Sequence, residues 1–311
     1  MIVAANSIGD QTLSRHGAMG RLFTSVHASY TLALFLRSLT FGHVRQLDAF
    51  ASRLLINLCT CAPLLPGADK LANVDIDDTV EPTFGYATQG AGRGDSAVKR
   101  LNAPLGIIRT PSSRPVIAAA RLRRGANNSA QGTFRLAVDP LVIAKVCGAE
   151  MAEIEFTASS IKTYAKQVAA RLIVRHFSDF KSAHQSELFT VYRDHVLSTH
   201  SLLPMLETDK AHPSLTIVEQ VNADLNSGLL AQLAHLPSQS FTANCASPVL
   251  AAIGFHHTRA SGCLASAFHA KATTGAIRAQ LINIPAKVPP PLFPSCFICL
   301  STGRREPPGR D

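Results

Sequence analysis

Three carboxylates stand together in the stretch Val74-Asp75-Ile76-Asp77-Asp78-Thr79, beside an apolar strand pattern. Successive side chains of a β-strand point to opposite faces, so Asp75 and Asp77 share one face, roughly 7 Å apart. Mg²⁺ prefers carboxylate oxygens, and acids repeated on one face repel each other unless something neutralises them. The spacing therefore favours a divalent-cation site, although an Asp-rich solvated turn has the same composition.

A basic segment follows the acidic stretch. Eight basic residues and one acid, Asp95, lie between positions 93 and 124, and the whole chain carries a net charge of +9. A basic segment downstream of clustered acids suits an enzyme that holds a phosphate backbone near a metal, while an ordinary solvated face is the plainer interpretation. We expect DNA as the partner, and the predicted DNA contacts are Arg93, Lys99, Arg100, Arg109, Arg121, Arg123 and Arg124.

Composition restricts the class of protein. With 311 residues, of which 46% are hydrophobic, the chain can bury a sizeable core. No apolar run reaches the roughly 18 residues that a membrane helix needs, and the N-terminus lacks a signal-peptide pattern. Seven cysteines form no repeated framework, and the Cys296/Cys299 pair has no second pair to complete a zinc site. We expect a cytoplasmic, nucleoid-associated protein without membrane contact.

Hydrophobic periodicity predicts helices and strands around the acidic stretch. Apolar spacing predicts two helices between Thr31 and Leu58, separated near Gly42. The acidic strand and two further strands, Pro104 to Arg109 and Pro115 to Leu122, have short connections and predict an antiparallel meander. The later predictions are a helix from Asn128 to Cys147, divided or kinked at Pro140; strands at 167–174 and 188–197; and helices at 214–225, 241–259 and 265–282.

Asp75-Ile76-Asp77-Asp78-Thr79 by itself matches DxDxT, the first motif of haloacid-dehalogenase-type phosphohydrolases. In that family the first Asp is the nucleophile and the second a general acid/base. The motif normally opens the domain and is completed by a later acidic pair. Here it begins after some seventy residues and no adjacent Asp pair follows Asp78. A phosphohydrolase is therefore the alternative interpretation.

A larger set of collinear segments resembles the DDE transposases of actinobacterial insertion sequences, in the thirteen-eighty family. The similarity covers most of residues 11 to 287. Its segments are His16-Gly17-Ala18-Met19, Phe41 to Leu47, Asp75 to Thr79, Gly85-Tyr86-Ala87, Gln89 to Gly92, Leu101-Asn102-Ala103, Pro115 to Arg123, Ala126 to Ala130, Ile217 to Val221 and Ala265 to Pro285.

The resemblance implies an α/β, ribonuclease-H-like core preceded by a helical N-terminal segment. It also implies metal-dependent DNA cleavage and strand transfer at the terminal inverted repeats of an insertion sequence, with self-association as a further expectation. By position, Asp77 is the first catalytic acid, Asp75 a helper and Glu219 the late catalytic acid. Mg²⁺ or Mn²⁺ bound by these acids would activate the attacking oxygen of an in-line displacement.

Several departures from the family predict an incomplete core. The family's second Asp and the strand that carries it are expected to be deleted near residues 148–156, and losing a central strand would open the sheet. Glu153 or Glu155 are the candidate replacements. The chain also begins late relative to the family, and the similarity ends after Lys287. We expect a helical N-terminal segment at 1–66 that could contact DNA, a ribonuclease-H-like transposase domain with an internal deletion at 67–287 and a disordered tail at 288–311. Impaired catalysis follows, and a non-catalytic DNA-binding remnant is the alternative.

Overall fold

The computed structural model describes residues 28–70, 72–83, 88–93, 99–125, 133–149, 152–156, 171–178, 192–199, 221, 223–224, 238–283, 286–287 and 298–299. Across 152–156, 171–178 and 192–199 it describes the backbone alone. The chain divides into two compact units, one formed by Met1–Thr157 with Val221–Asp311 and the other by Ala158–Gln220.

From residue 28 onward, two helices precede the sheet, as the periodicity predicts. Helix α1 spans Ser29–Ser38 and helix α2 spans Phe41–Cys61. Thr40 begins α2 with a reciprocal cap, because its Oγ1 accepts from the His43 backbone N–H at 3.4 Å and its own N–H donates to His43 Nδ1 at 3.1 Å. Such caps satisfy backbone donors that a helix start leaves without partners. The spacing between the buried residues Val44, Ala51 and Leu55 gives α2 one inward face.

A six-stranded mixed sheet forms the centre of the first unit. Its strands are β1 (Ala72–Pro82), β2 (Gly92–Arg93), β3 (Lys99–Arg109), β4 (Val116–Ala120), β5 (Arg123–Arg124) and β6 (Ala152–Phe156). Strand β1 pairs with β3 antiparallel and with β6 parallel, so it has neighbours on both edges. Strands β2, β4 and β5 all pair antiparallel with β3. The predicted antiparallel meander is confirmed.

Helix α3, Thr133–Val146, connects the meander to the parallel strand β6 and packs on one face of the sheet. A parallel neighbour requires such a crossover. Gly106 in β3 makes the close approach of α3 possible, since a Cβ at this position would lie 2.6 Å from Pro140 Cγ and 3.2 Å from the Leu136 carbonyl oxygen. Ile76, Ala119, Leu136 and Ala137 form the buried cluster beneath the first turns of α3.

The main hydrophobic core joins α2, the sheet and α3. Leu55 of α2, Val74 of β1, Ile108 of β3 and Ile143 of α3 belong to one buried cluster. Residues just after α2 are buried in the same cluster, and these are Ala62, Leu64, Leu65 and Ala68. The helical segment before the acidic strand therefore shares its core with the sheet.

The C-terminal part of the first unit contains the long helix α4, Phe241–Ala265, followed by α5, Ala267–Lys271, and α6, Thr274–Ile277. A π-helical segment, Arg278–Ile282, continues directly from α6. The buried Arg259 of α4 donates to the carbonyl oxygens of Ala270 at 2.5 Å and Ala272 at 2.8 Å. These bonds satisfy carbonyls at the end of α5.

The remaining described strands form two separate pairs. In the second unit, β7 (Arg171–Ser178) and β8 (Tyr192–Thr199) form an antiparallel hairpin. Strands β9 (Ala286–Lys287) and β10 (Ile298–Cys299) pair antiparallel near the C-terminus. No helix in the described part of the chain is both long and apolar enough to cross a membrane.

Several predictions of local structure need correction. Residues 152–156, for which the sequence predicts no strand, form β6, a parallel partner along Ala72 to Ile76. Pro140 does not divide α3, because its ring packs over Gly106 within a continuous helix. The single helix expected at 265–282 is broken into α5, α6 and the π-helical segment.

Other predictions agree in part or lie outside the described residues. The mixed α/β class is confirmed. The predicted hairpin strands are present but shifted toward the C-terminus by several residues. Of the helix predicted at 214–225, Val221, Ala223 and Asp224 are described, and all three are helical. Within the predicted disordered tail only 298–299 are described, and they are β10.

His256 of α4 is a buried ionisable group in the core. It is 1% exposed, and neither ring nitrogen has a hydrogen-bond partner of good geometry among the described residues. Burial lowers the pKa of His256 to about 4, and the nearby Ile117 backbone offsets this only in part. The folded protein therefore holds a neutral imidazole at a pH where the unfolded chain begins to bind a proton.

We expect His256 to make the protein less stable in acid. The folded pKa is about 4 and the ordinary value is 6.5, so the stability is complete above pH 6.5 and is lost as the pH falls toward 4, by about 3 kcal/mol in total. Urea unfolding of the wild type and of His256→Leu at several pH values measures the difference. The neighbouring, half-buried His257 provides the control, and a His257→Leu variant that removed the same pH dependence would contradict this assignment.

Candidate nucleic-acid interface

The acidic strand β1 buries the first of its carboxylates in an ion pair. Asp75 is 5% exposed and Arg109 is 8% exposed. Arg109 Nε donates to Asp75 Oδ2 at 2.8 Å. Asp75 lies opposite Ile107, and Arg109 lies opposite Asn73, so the two charged residues are diagonal neighbours on one face of the β1–β3 pair.

This ion pair joins two predicted site residues that were assigned to different partners. We expected Asp75 to help bind a metal and Arg109 to contact DNA. A buried carboxylate bound to a guanidinium is already neutralised, and a buried guanidinium cannot reach a phosphate backbone. Both residues therefore hold β1 and β3 together at this register.

The remaining predicted acids occupy different positions. Asp77 is half-buried on β1, opposite Leu105. Glu219 lies outside the described residues. The backbone of β6 places Glu155 in register with Asp75, and Glu153 in register with Asn73. Glu155 is thus the candidate replacement whose backbone lies beside the acidic pair of β1.

The described side chains do not assemble a magnesium site. Within the described ranges, no group of three His, Cys, Asp or Glu side chains is placed to hold a metal ion. The nearest approach to one is Asp75 and Asp77 on a single strand, and Asp75 is committed to Arg109. Mg²⁺ needs carboxylates with open coordination positions, so a buried, ion-paired Asp does not fit it.

Arg121, a predicted DNA contact, instead contacts acidic residues of two helices. Its guanidinium hydrogen-bonds Asp139 of α3 and lies 3.8 Å from Asp48 of α2. Burial raises the pKa of Asp48, and the positive charge of Arg121 partly offsets this effect. Arg45 also lies 3.5 Å from Asp48. Arg121 therefore belongs to an ion-pair network between α2 and α3.

The other five predicted DNA contacts converge at one end of the sheet, which we call the basic end. It consists of Arg93, Lys99, Arg100, Arg123 and Arg124. Strand pairing brings them together: Arg93 lies opposite Lys99, Gly92 opposite Arg100, and Asn102 opposite Arg123. Arg93 and Arg124 are exposed, and the other three are partly exposed. Like charges this close disfavour one another and attract a polyanion.

Gly125 closes the basic end by letting two strands pack tightly. It is buried, and its N–H donates to the Gly90 carbonyl at 3.0 Å. A Cβ at this position would lie 1.7 Å from the Arg100 carbonyl oxygen, so there is no room for any side chain. This close approach keeps β5 and the loop before β2 against the start of β3.

The N-terminus of α4 lies at the same end of the sheet. Gln89 joins the two elements, because its side-chain oxygen accepts from the Phe241 N–H at 3.2 Å and its backbone N–H donates to Gln239 at 2.9 Å. A Cβ at Gly90 would touch both Phe241 and Arg124 Cγ, at 2.8 and 3.3 Å. The first turn of α4 contains no acid. Its positive dipole end therefore adds to the charge of the basic end.

Sequence patterns alone did not indicate the contribution of α4 to this surface. Phe241 is more than a hundred residues from Arg124, and no spacing links them. The one available signal in the sequence is Gln89-Gly90. A glycine allows another element to approach the backbone closely, and a polar side chain beside it can bond to that element.

No protein-family model matches the chain, and neither curated proteins nor solved structures include a significant match to it. The transposase resemblance therefore stays a prediction that rests on the residues themselves.

We expect Asp75→Asn to destabilise the fold strongly. The substitution leaves the Arg109 guanidinium buried without its carboxylate, which typically costs about 3–5 kcal/mol. Chemical unfolding measures the change. Asp69→Asn is the control, because Asp69 is exposed and its substitution should change stability by no more than about 0.5 kcal/mol.

The double variant Asp75→Leu/Arg109→Leu also tests this ion pair, because it removes both charges and leaves neither one buried alone. Removing both charges together should restore most of the stability that Asp75→Asn loses. Equal destabilisation by the single and the double variant would contradict the ion-pair assignment.

Proposed function

We propose that the protein binds DNA through the basic end and that it derives from a DDE transposase whose cleavage activity is impaired. The observation that carries the proposal is the convergence of Arg93, Lys99, Arg100, Arg123 and Arg124 with the N-terminus of α4. Five cations and a helix dipole at one surface suit successive phosphates of a nucleic-acid backbone.

The arrangement of the sheet supports the transposase origin. The resemblance implies that the first catalytic acid lies on the first strand of a ribonuclease-H-like core. Asp77 lies on the first strand of the sheet, and that strand is paired on both edges. The meander, the crossover helix α3 and the parallel strand β6 form a mixed α/β arrangement, which supports this proposal.

The buried ion pair supports impaired catalysis. Of the three acids that the resemblance assigns to the metal, Asp75 is bound to Arg109. Metal-assisted hydrolysis depends on carboxylates that hold the ion with open positions. We therefore assign DNA binding, rather than DNA cleavage, as the activity that remains.

The phosphohydrolase alternative has less support. Its nucleophile would be Asp75, whose Oδ2 is occupied by Arg109 Nε at 2.8 Å. The DIDDT motif lies in the middle of β1, and each of its residues is paired antiparallel with β3. In open α/β enzymes, ligands bind beyond the carboxyl ends of parallel strands. The middle of a paired strand offers no such crevice.

We expect the affinity for a fluorescent 30-base-pair DNA duplex to fall steeply with salt. Contacts to five phosphates give a slope of log affinity against log salt of about −4.5. Arg93→Gln/Arg124→Gln should weaken binding and reduce the magnitude of the slope by about 2. Fluorescence anisotropy over about a sixfold range of NaCl concentration measures both quantities.

Lys70→Gln/Lys145→Gln is the matched control for this experiment. Both residues are exposed, one before β1 and one in α3, and the variant loses the same two charges. Its salt slope should stay close to that of the wild type. If the control loses as much affinity as Arg93→Gln/Arg124→Gln, binding reflects net charge and the basic end is not the interface.

We expect no cleavage of a supercoiled plasmid when Mg²⁺ or Mn²⁺ is added, because the second catalytic Asp of the family is predicted to be deleted and the helper Asp75 is paired with Arg109. Gel electrophoresis of wild-type protein and of Asp77→Ala should show the same uncut DNA. Nicking by the wild type that is lost in both Asp77→Ala and Glu155→Gln, and retained in Asp69→Asn, would contradict the assignment of impaired catalysis and would make Glu155 the replacement acid.

A further inference from the structure

One face of α2 is exposed along most of the helix and carries a row of four side chains. Gln46, Phe50, Arg53 and Asn57 follow one another at intervals of four, three and four residues, and all four are exposed. That spacing places them on one face of a helix. The face lies opposite the inward face of α2, which is buried against the main core. We call these four residues the outer row of α2.

The outer row differs in composition from an ordinary solvated helix face. Glu and Lys are typical of such a face, because they favour the helix and keep their charges in water. Helix α2 contains neither of them. Phe50 is 50% exposed, so half of a large apolar side chain stands in water, which costs free energy. The outer row is therefore better suited to contact with another molecule than to solvent.

The charges around the outer row favour an anionic partner. Helices α1 and α2 carry no exposed acid. The single acid of α2, Asp48, is partly buried and lies 3.8 Å from Arg121 and 3.5 Å from Arg45. Arg53 in the outer row and Arg37 of α1 are exposed. This surface is therefore positive, which suits a polyanion.

The side-chain types of the outer row match the base edges in the major groove of DNA. An Arg guanidinium binds guanine through two hydrogen bonds, an Asn or Gln amide binds adenine in the same way, and Phe contacts the methyl group of thymine. Gln46 and Asn57 are separated by a rise of about 16 Å along the helix, which corresponds to about five base pairs. The major groove is wide enough to admit an α-helix.

We infer that the outer row of α2 reads base sequence in the major groove of double-stranded DNA, with Gln46 and Asn57 selecting adenine and Arg53 selecting guanine. This inference rests on the proposed DNA binding and adds sequence specificity to it. The basic end holds phosphates, which are the same in every sequence. The buried inward face and the Thr40 cap keep α2 in place, as a surface that reads bases requires.

The test is selection of bound duplexes from a random-sequence DNA pool by the full-length protein. The wild type should enrich a motif of about five base pairs that contains adenine and guanine. Competition with duplexes that differ at one base pair then measures discrimination as a ratio of Kd values. Gln46→Ala and Asn57→Ala should each reduce discrimination at one adenine by about 5- to 150-fold.

Arg53→Lys is the matched variant, because it keeps the charge but lacks the guanidinium fork that binds guanine through two bonds. It should lose discrimination at one guanine and keep the affinity of the wild type for unrelated DNA. Arg93→Gln/Arg124→Gln provides the opposite case, because it removes phosphate contacts. It should weaken binding to all duplexes to a similar extent and still enrich the same motif.

The outcomes separate this inference from the proposed function. DNA binding without an enriched motif, or a motif that persists in Gln46→Ala, Arg53→Lys and Asn57→Ala, overturns the inference and leaves the proposed DNA binding intact. A protein that binds no duplex overturns both. A dimer of the chain that Phe50→Ala dissociates, with the DNA motif unchanged, also overturns the inference and assigns the outer row to contact with a second copy.

Discussion

Asp75 and Arg109 place two opposite charges almost entirely out of water, and the central sheet depends on their remaining together. Each charge alone would carry a large desolvation penalty, so the pair is tolerated only in a register that brings Nε to Oδ2. A slip of one residue between β1 and β3 would separate them and would turn every side chain of the strand to the opposite face. The ion pair therefore specifies the register that the apolar side chains of β1 and β3 require.

The register of β1 and β3 determines which side chains pack against α3 and which cations lie at the basic end. On one face, Val74 and Ile76 meet α3, which approaches closely because Gly106 has no side chain. At the far end, Lys99 and Arg100 of the same β3 strand pair with β2, and the next two residues of β3 pair with β5. The Asp75 carboxylate is thus buried and ion-paired, while Arg93 and Arg124 of the basic end remain exposed. Charge separation of this kind favours binding of a polyanion over metal chemistry.

Much of the local structure follows from the sequence pattern, because hydrophobic periodicity and turn residues act over short distances. The periodicity predicted the two helices before the sheet, the antiparallel meander and the long helix α4. It failed where a contact distant in sequence overrides local preference. Pro140 remains inside α3 because its ring packs over Gly106, and residues 152–156 form a strand because β1 offers them a free edge. Neither partner can be recognised from local spacing.

The sequence by itself determined which charges exist and how they are clustered along the chain: acids at 75–78 and cations from 93 to 124. Only the tertiary structure decided which of those charges neutralise one another. Arg109 and Arg121 look equivalent to Arg93 and Arg124 in the sequence, yet the first two are bound to Asp75 and Asp139, and the last two are exposed. The physical reason is that pairing and desolvation depend on distances of a few ångströms between side chains, and strand register and helix packing set those distances.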